Sequence, residues 1–135
     1  MEKFIQQVKA ERMGNFRVNA KELVELIKKG EGVMVDVREN YETAVWGFNF
    51  GYKIPVSELP SRLEELPKDK IIITACPHKD RSNIACTFLR VKGFNAKYLS
   101  DGLVGLAEEL RGSKVLDFSE RILEGRVEKE NNPNQ

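Results

Sequence analysis

The run Ile71-Ile72-Ile73-Thr74-Ala75 is wholly apolar or β-branched. It is too short for a helix and lacks the polar alternation of a half-exposed strand, so it reads as a strand buried on both faces. It passes directly into Cys76-Pro77-His78-Lys79-Asp80-Arg81-Ser82, after which helical periodicity resumes from Ser82 to Lys92 and stops at Gly93. The unit is therefore strand, tight loop, helix. A strand that leads straight into a helix fits a layered α/β arrangement.

The flanking segments supply those helices and further strands. Asn19 can cap a helix carrying Leu23, Val24, Leu26 and Ile27, which ends at Lys28-Lys29-Gly30. Val33 to Val37 reads as a second buried strand, Tyr41 to Val45 as one or two helical turns, and Gly47 to Lys53 as loop. Ile54-Pro55-Val56 is a brief extended piece before Ser57, which should cap a helix holding Leu59, Leu63 and Leu66 with Pro60 in its first turn. A strand at Ala96 to Leu99 and a helix at Leu103 to Leu110 follow, while the Ser82 to Lys92 helix is apolar on most sides, Ile84 included, and should be well buried. The alternation predicts a central, mostly parallel sheet flanked by helices, with a site outside the strand carboxyl ends.

Two terminal extensions border this unit. Phe4, Ile5 and Val8 suggest a short amphipathic helix within residues 1–18. In residues 113–135, the stretch Val115 to Val127 is too apolar to stay free and should pack on the core or across a homodimer, whereas Glu128 to Gln135 reads as disordered. At 135 residues the chain suits one domain with such extensions. A formal net charge of +1 provides no large field for nucleic acid or an acidic membrane. The amino-terminal residues lack the apolar core of a signal peptide and no stretch is long enough to span a bilayer, so the expected location is cytoplasmic. Two cysteines in such a chain argue for free thiols rather than a disulfide framework.

Cys76 carries the chemistry. At the start of a helix, unpaired N–H groups and the positive end of the helix dipole stabilise an anion, and His78, Lys79 and Arg81 add positive charge. Such surroundings make a thiol nucleophilic at neutral pH. Cys86, inside an apolar helix, reads instead as a small buried hydrophobe. His78, the only histidine, reads equally as a solvated loop residue or a substrate contact. Cys76, His78 and Cys86 fall short of a four-ligand zinc site, which Asp80 would complete only awkwardly. Asp36 and Arg38, at a strand end, read as a structural ion pair or loop anchor that Glu42 could join.

In order and spacing these residues resemble the single-domain rhodanese sulfurtransferases over about Asn19 to Gly112. Asp36-Val37-Arg38 with Glu42 is similar to that family's Asp-Val-Arg block and following glutamate. Ile54-Pro55-Val56 resembles its Ile-Pro entry, Leu59 to Leu66 its next helix, and Cys76 to Arg81 its six-position loop. Asp101-Gly102-Leu103 falls where the family has a Gly-Gly-aromatic segment. The sequence departs from the pattern at Gly47 to Tyr52, at Lys79, which replaces a loop glycine, and at Leu106, which replaces a tryptophan.

The resemblance implies a rhodanese-like domain at residues 19–112 and a sulfurtransferase acting through a Cys76 persulfide. Cys76 and Arg81 would be catalytic, His78, Lys79, Asp80 and Ser82 would contact substrate, and Asp36 and Arg38 would support the site. The implied donor is thiosulfate or a small-molecule or protein persulfide, and the acceptor cyanide, a thiol or a protein cysteine. No metal or organic cofactor is required. Two other readings stay open: a rhodanese-fold interaction or sulfur-carrier module, and a cysteine phosphatase or arsenate reductase, whose loop has five residues between Cys and Arg where this one has four.

Overall fold

The computed structural model describes residues 1–9 and 14–131, with side chains in the last helix as far as Ile122. Ile71–Ala75 is the central strand, β4, of a five-stranded sheet. Its neighbours are β2 (Gly32–Asp36) on one side and β5 (Ala96–Leu99) on the other, with β1 (Arg17–Val18) and β3 (Tyr52–Lys53) at the two edges; every pairing is parallel. Asp36 lies opposite Ala75 and Thr74 opposite Tyr98, so β2, β4 and β5 end together and release their chains at one end of the sheet, beyond the strand carboxyl ends.

The two-residue side-chain period divides the core into two. Val35, Ile72, Cys76 and Tyr98 face a cluster containing Ala85, Cys86 and Leu89 of α4 (Asp80–Val91). Met34, Ile73, Ala75 and Leu99 face the opposite cluster, with Leu23 and Val24 of α2 (Ala20–Lys28) and Leu103 and Leu106 of α5 (Gly102–Glu109). Single-residue steps along one strand thus feed two cores. α2 starts on a reciprocal cap: Asn19 Oδ1 accepts the Glu22 N–H at 2.8 Å, and Glu22 Oε1 accepts the Asn19 N–H at 3.1 Å. A short α1 (Glu2–Ile5) sets Phe4 against Phe16, their ring centroids 5.9 Å apart.

Several sequence expectations need correction. The helix expected after Ser57 is two 3-10 segments, Val56–Ser61 and Leu63–Glu65, and Ser57 makes no cap. Pro60 lacks an N–H and crowds the turn before it, so the chain settles into i to i+3 bonds such as Arg62 N–H to Leu59 O at 3.1 Å. Within the expected loop, Tyr52 and Lys53 pair with Val35 and Asp36. Gly51 permits this at φ +80°, where a Cβ would stand 2.6 Å from Met34 O. Ile84 is 64% exposed rather than buried. The last helix, α6 (Lys114–Asn131), continues through Glu128–Asn131, where disorder was expected; residues 132–135 lie outside the described residues. Among the described residues no helix is long and apolar enough to cross a membrane.

Candidate active site

Strand β4 delivers Cys76 beyond its carboxyl end, at the end of the sheet, and period two points its side chain to the α4 side. The residue is 2% exposed. Ser82, in the first turn of α4, directs its N–H at Cys76 Sγ across 3.4 Å, the kind of contact an unpaired helix-start donor offers to an anion. Thr74 Oγ1 donates to Ser82 O at 2.7 Å, and Ser82 Oγ donates to Lys79 O at 3.0 Å, so the loop is pinned to the strand before it and to the helix after it. Ser82, read as a substrate contact, is fully buried with its hydroxyl engaged inside the loop. His78, Lys79 and Asp80 stand exposed on the loop and helix start, and α4 begins at Asp80, two residues earlier than the sequence suggested.

The loop is also held from the β5–α5 side. The Leu103 N–H reaches Cys76 O at 2.8 Å and the Val104 N–H reaches Pro77 O at 3.4 Å. Gly102 makes this approach possible. At φ +70°, a Cβ there would stand 2.6 Å from His78 O and closer still to Pro77 O. Asp101, just before it, accepts the Ala20 N–H at 2.8 Å and so joins the start of α2 to the same junction.

Arg81 closes the loop on its third side. Its Nη1 and Nη2 contact Glu42 Oε1 and Oε2 at 2.5 and 2.9 Å, a two-pronged pair between α4 and α3 (Asn40–Val45). The Arg81 hydrogen bond leads in holding the Glu42 carboxyl down to about 2, helped by the Glu39 N–H and by Arg38 against the opposing effect of burial. The same pair raises Arg81 above its ordinary value. Glu42 therefore bonds directly to Arg81 rather than to Asp36 or Arg38, although the Arg38 charge still acts on it.

Those two form a separate buried pair. Arg38 Nε donates to Asp36 Oδ1 at 3.0 Å and Arg38 Nη2 to Asp36 Oδ2 at 2.7 Å and to Trp46 O at 3.0 Å. The guanidinium lies 4.3 Å from the Trp46 ring centroid. Asp36 and Arg38 thus fix the chain where it leaves β2 toward α3.

Sequence spacing did not reveal the Arg81–Glu42 pair, which joins residues far apart in the chain. The only available signal was an acid and a base in the helices that follow two neighbouring strands. Cys86 lies in the α4-side core, its Sγ 3.8 Å from Phe16 O, and burial raises its thiol to about 11. Among the described residues no three His, Cys, Asp or Glu side chains are gathered to hold a metal ion.

The family model for the rhodanese-like domain matches residues 19–109. The chain is 31% identical over 62 residues to a sulfurtransferase of Allochromatium vinosum, a match covering 46% of this chain and 58% of that protein, so it spans little more than half the length of that relative. Among solved structures it is similar to a rhodanese-related protein from Thermoplasma volcanium, 33% identical with a TM-score of 0.62, covering 69% of this chain and 91% of the other. It is also similar to a human single-domain sulfurtransferase, 25% identical with a TM-score of 0.63, covering 70% of this chain and 96% of the other.

Proposed function

The chain belongs to the rhodanese-like domain family, and from that premise we propose that it is a sulfurtransferase in which Cys76 carries sulfur between a donor and an acceptor. The observation supporting this most directly is the Ser82 N–H aimed at Cys76 Sγ from the first turn of α4. A donor placed there can hydrogen-bond the reacting sulfur and stabilise negative charge on the sulfur attached after it.

In the first half-reaction the Cys76 thiolate attacks the outer sulfur of thiosulfate or of a persulfide. The donor's S–S bond breaks, sulfite or a thiolate leaves with the electron pair, and Cys76 becomes a persulfide. In the second, a thiol, cyanide or protein cysteine attacks the terminal sulfur and Cys76 leaves as thiolate. Each half exchanges one bond to sulfur for another and needs no outside oxidant. Arg81, paired with Glu42, holds the loop in register, while His78, Lys79 and Asp80 line the approach from solvent. The reaction takes place on a soluble cytoplasmic protein in this proposal, with no nucleic acid or membrane partner.

Intact-mass measurement after exposure to thiosulfate, or separately to glutathione persulfide, tests the reading. The protein and its Cys86→Ser variant should each gain one sulfur atom that a reductant removes, and Cys76→Ser should gain none. Equal gain by Cys76→Ser would overturn the assignment.

A further inference from the structure

Among the described residues, half of the large apolar side chains that stand exposed belong to the elements that border the Cys76 loop. Tyr41 is 74% exposed, Val45 82%, Ile84 64% and Val104 49%, with Trp46 beside them at 43%. Tyr41 and Val45 are one turn apart on the same side of α3, and the Tyr41 phenol is near enough to Arg81 to bear on its charge. Ile84 follows Arg81 by one turn of α4, and Val104 is tied by its own N–H to Pro77 O. One exposed apolar side chain needs no explanation, but a group of them around a reactive thiol marks a contact surface.

The charges at this mouth cancel. Arg81 is matched by Glu42, and Lys79 stands next to Asp80. Such a rim complements a neutral, apolar segment of polypeptide better than it complements a small dianion. We propose that the acceptor of the Cys76 sulfur is a cysteine thiol displayed on an apolar segment of another protein, which docks on Tyr41, Val45, Ile84 and Val104. The proposal rests on the sulfurtransferase reading. The acceptor thiol attacks the terminal sulfur of the Cys76 persulfide, a new S–S bond forms on the acceptor, the S–S bond at Cys76 breaks, and the acceptor's proton passes to the released Cys76 thiolate.

The test begins with protein loaded by glutathione persulfide, freed of donor, and checked by mass for one added sulfur. It is then mixed with one of two acetylated, amidated peptides, Gly-Leu-Phe-Cys-Leu-Gly or Gly-Ser-Gly-Cys-Ser-Gly, or with cyanide. Transfer to the apolar peptide should be faster by about tenfold or more, the effect of removing a modest apolar area from water. In the double variant Val45→Ser, Ile84→Ser that preference should largely vanish while transfer to cyanide is unchanged. Equal rates to the two peptides, or a preference that survives the double variant, would overturn the docking surface and leave the sulfurtransferase reading standing. Failure to load would overturn both.

Discussion

At the scale of single residues, the chain's two thiols are equally buried at 2% exposure and differ in what faces them. Cys76 Sγ meets the Ser82 N–H at a helix start, whereas Cys86 Sγ lies in the apolar core against the Phe16 carbonyl, which accepts a hydrogen bond from it, and burial outweighs the opposing influence of Arg90. With burial raising Cys86 to about 11, it remains a thiol at neutral pH and is unreactive. The native Cys76→Ser variant should therefore resist iodoacetamide at about pH 8 and take up one label only after denaturation, as read by intact mass; rapid labelling of the native variant would contradict this. Glu42 gives a second residue-level prediction. Its folded value of about 2 lies below its ordinary 4.5, so the stability contributed by the Arg81 pair is complete above the ordinary value and is lost as pH falls from 4.5 toward 2. Urea melts of the protein and of Glu42→Gln should differ by a constant amount above about pH 5 and converge below the ordinary value. A gap that stays constant through the acid range would show that the pair adds nothing pH-dependent to folding.

At the scale of elements, the Cys76 loop is held between strand β4, the start of α4 and the start of α5, and Gly102 controls the last of these contacts. Gly102→Ala should add about 1–3 kcal/mol of backbone strain and push on the carbonyls of Pro77 and His78. Sulfur loading should slow by roughly tenfold or more, since small displacements of reacting groups cost rate steeply; a variant that loads at the normal rate would show that the clamp does not position the thiol. The main elements could be read locally because their causes are local. The Ile71–Ala75 run is β-branched throughout its first half, Asn19 and Glu22 cap each other, and Gly30 ends α2 at φ +72°. What escaped the sequence depended on other parts of the chain. Pro60 turned an expected helix into 3-10 segments, β3 exists only because β2 offers an edge, and Ile84 is exposed because, among the described residues, no element covers its side of α4. In the site, the loop could be read from its residue types. Glu42 as partner of Arg81 could not, because the contact forms only after two strands have aligned their ends.

For the molecule as a whole, the sheet separates two cores. The one opposite the Cys76 side is completed by α6, whose Phe118 is 3% exposed and joins the cluster of Leu23, Leu103 and Leu106. Its ring meets Phe50 edge-on at 4.9 Å, which links the last helix to the segment before β3, while Asp117 pairs with Lys28 of α2 at 2.5 Å. The ion pair is open to solvent at Asp117 and partly so at Lys28 and adds little; the buried ring holds the helix in place. Phe118→Ala should therefore destabilise the fold by about 3 kcal/mol, lowering Tm on the order of 10 °C. Leu116→Ala, at a position 62% exposed, should change stability by no more than about 0.5 kcal/mol. Light scattering on the same samples separates packing within one chain from packing between copies. If Phe118 acts within its own chain, its variant melts earlier at an unchanged mass. If Leu116→Ala instead halves the mass, the exposed side of α6 is a homodimer contact, and part of the stability assigned to the single chain belongs to the pair.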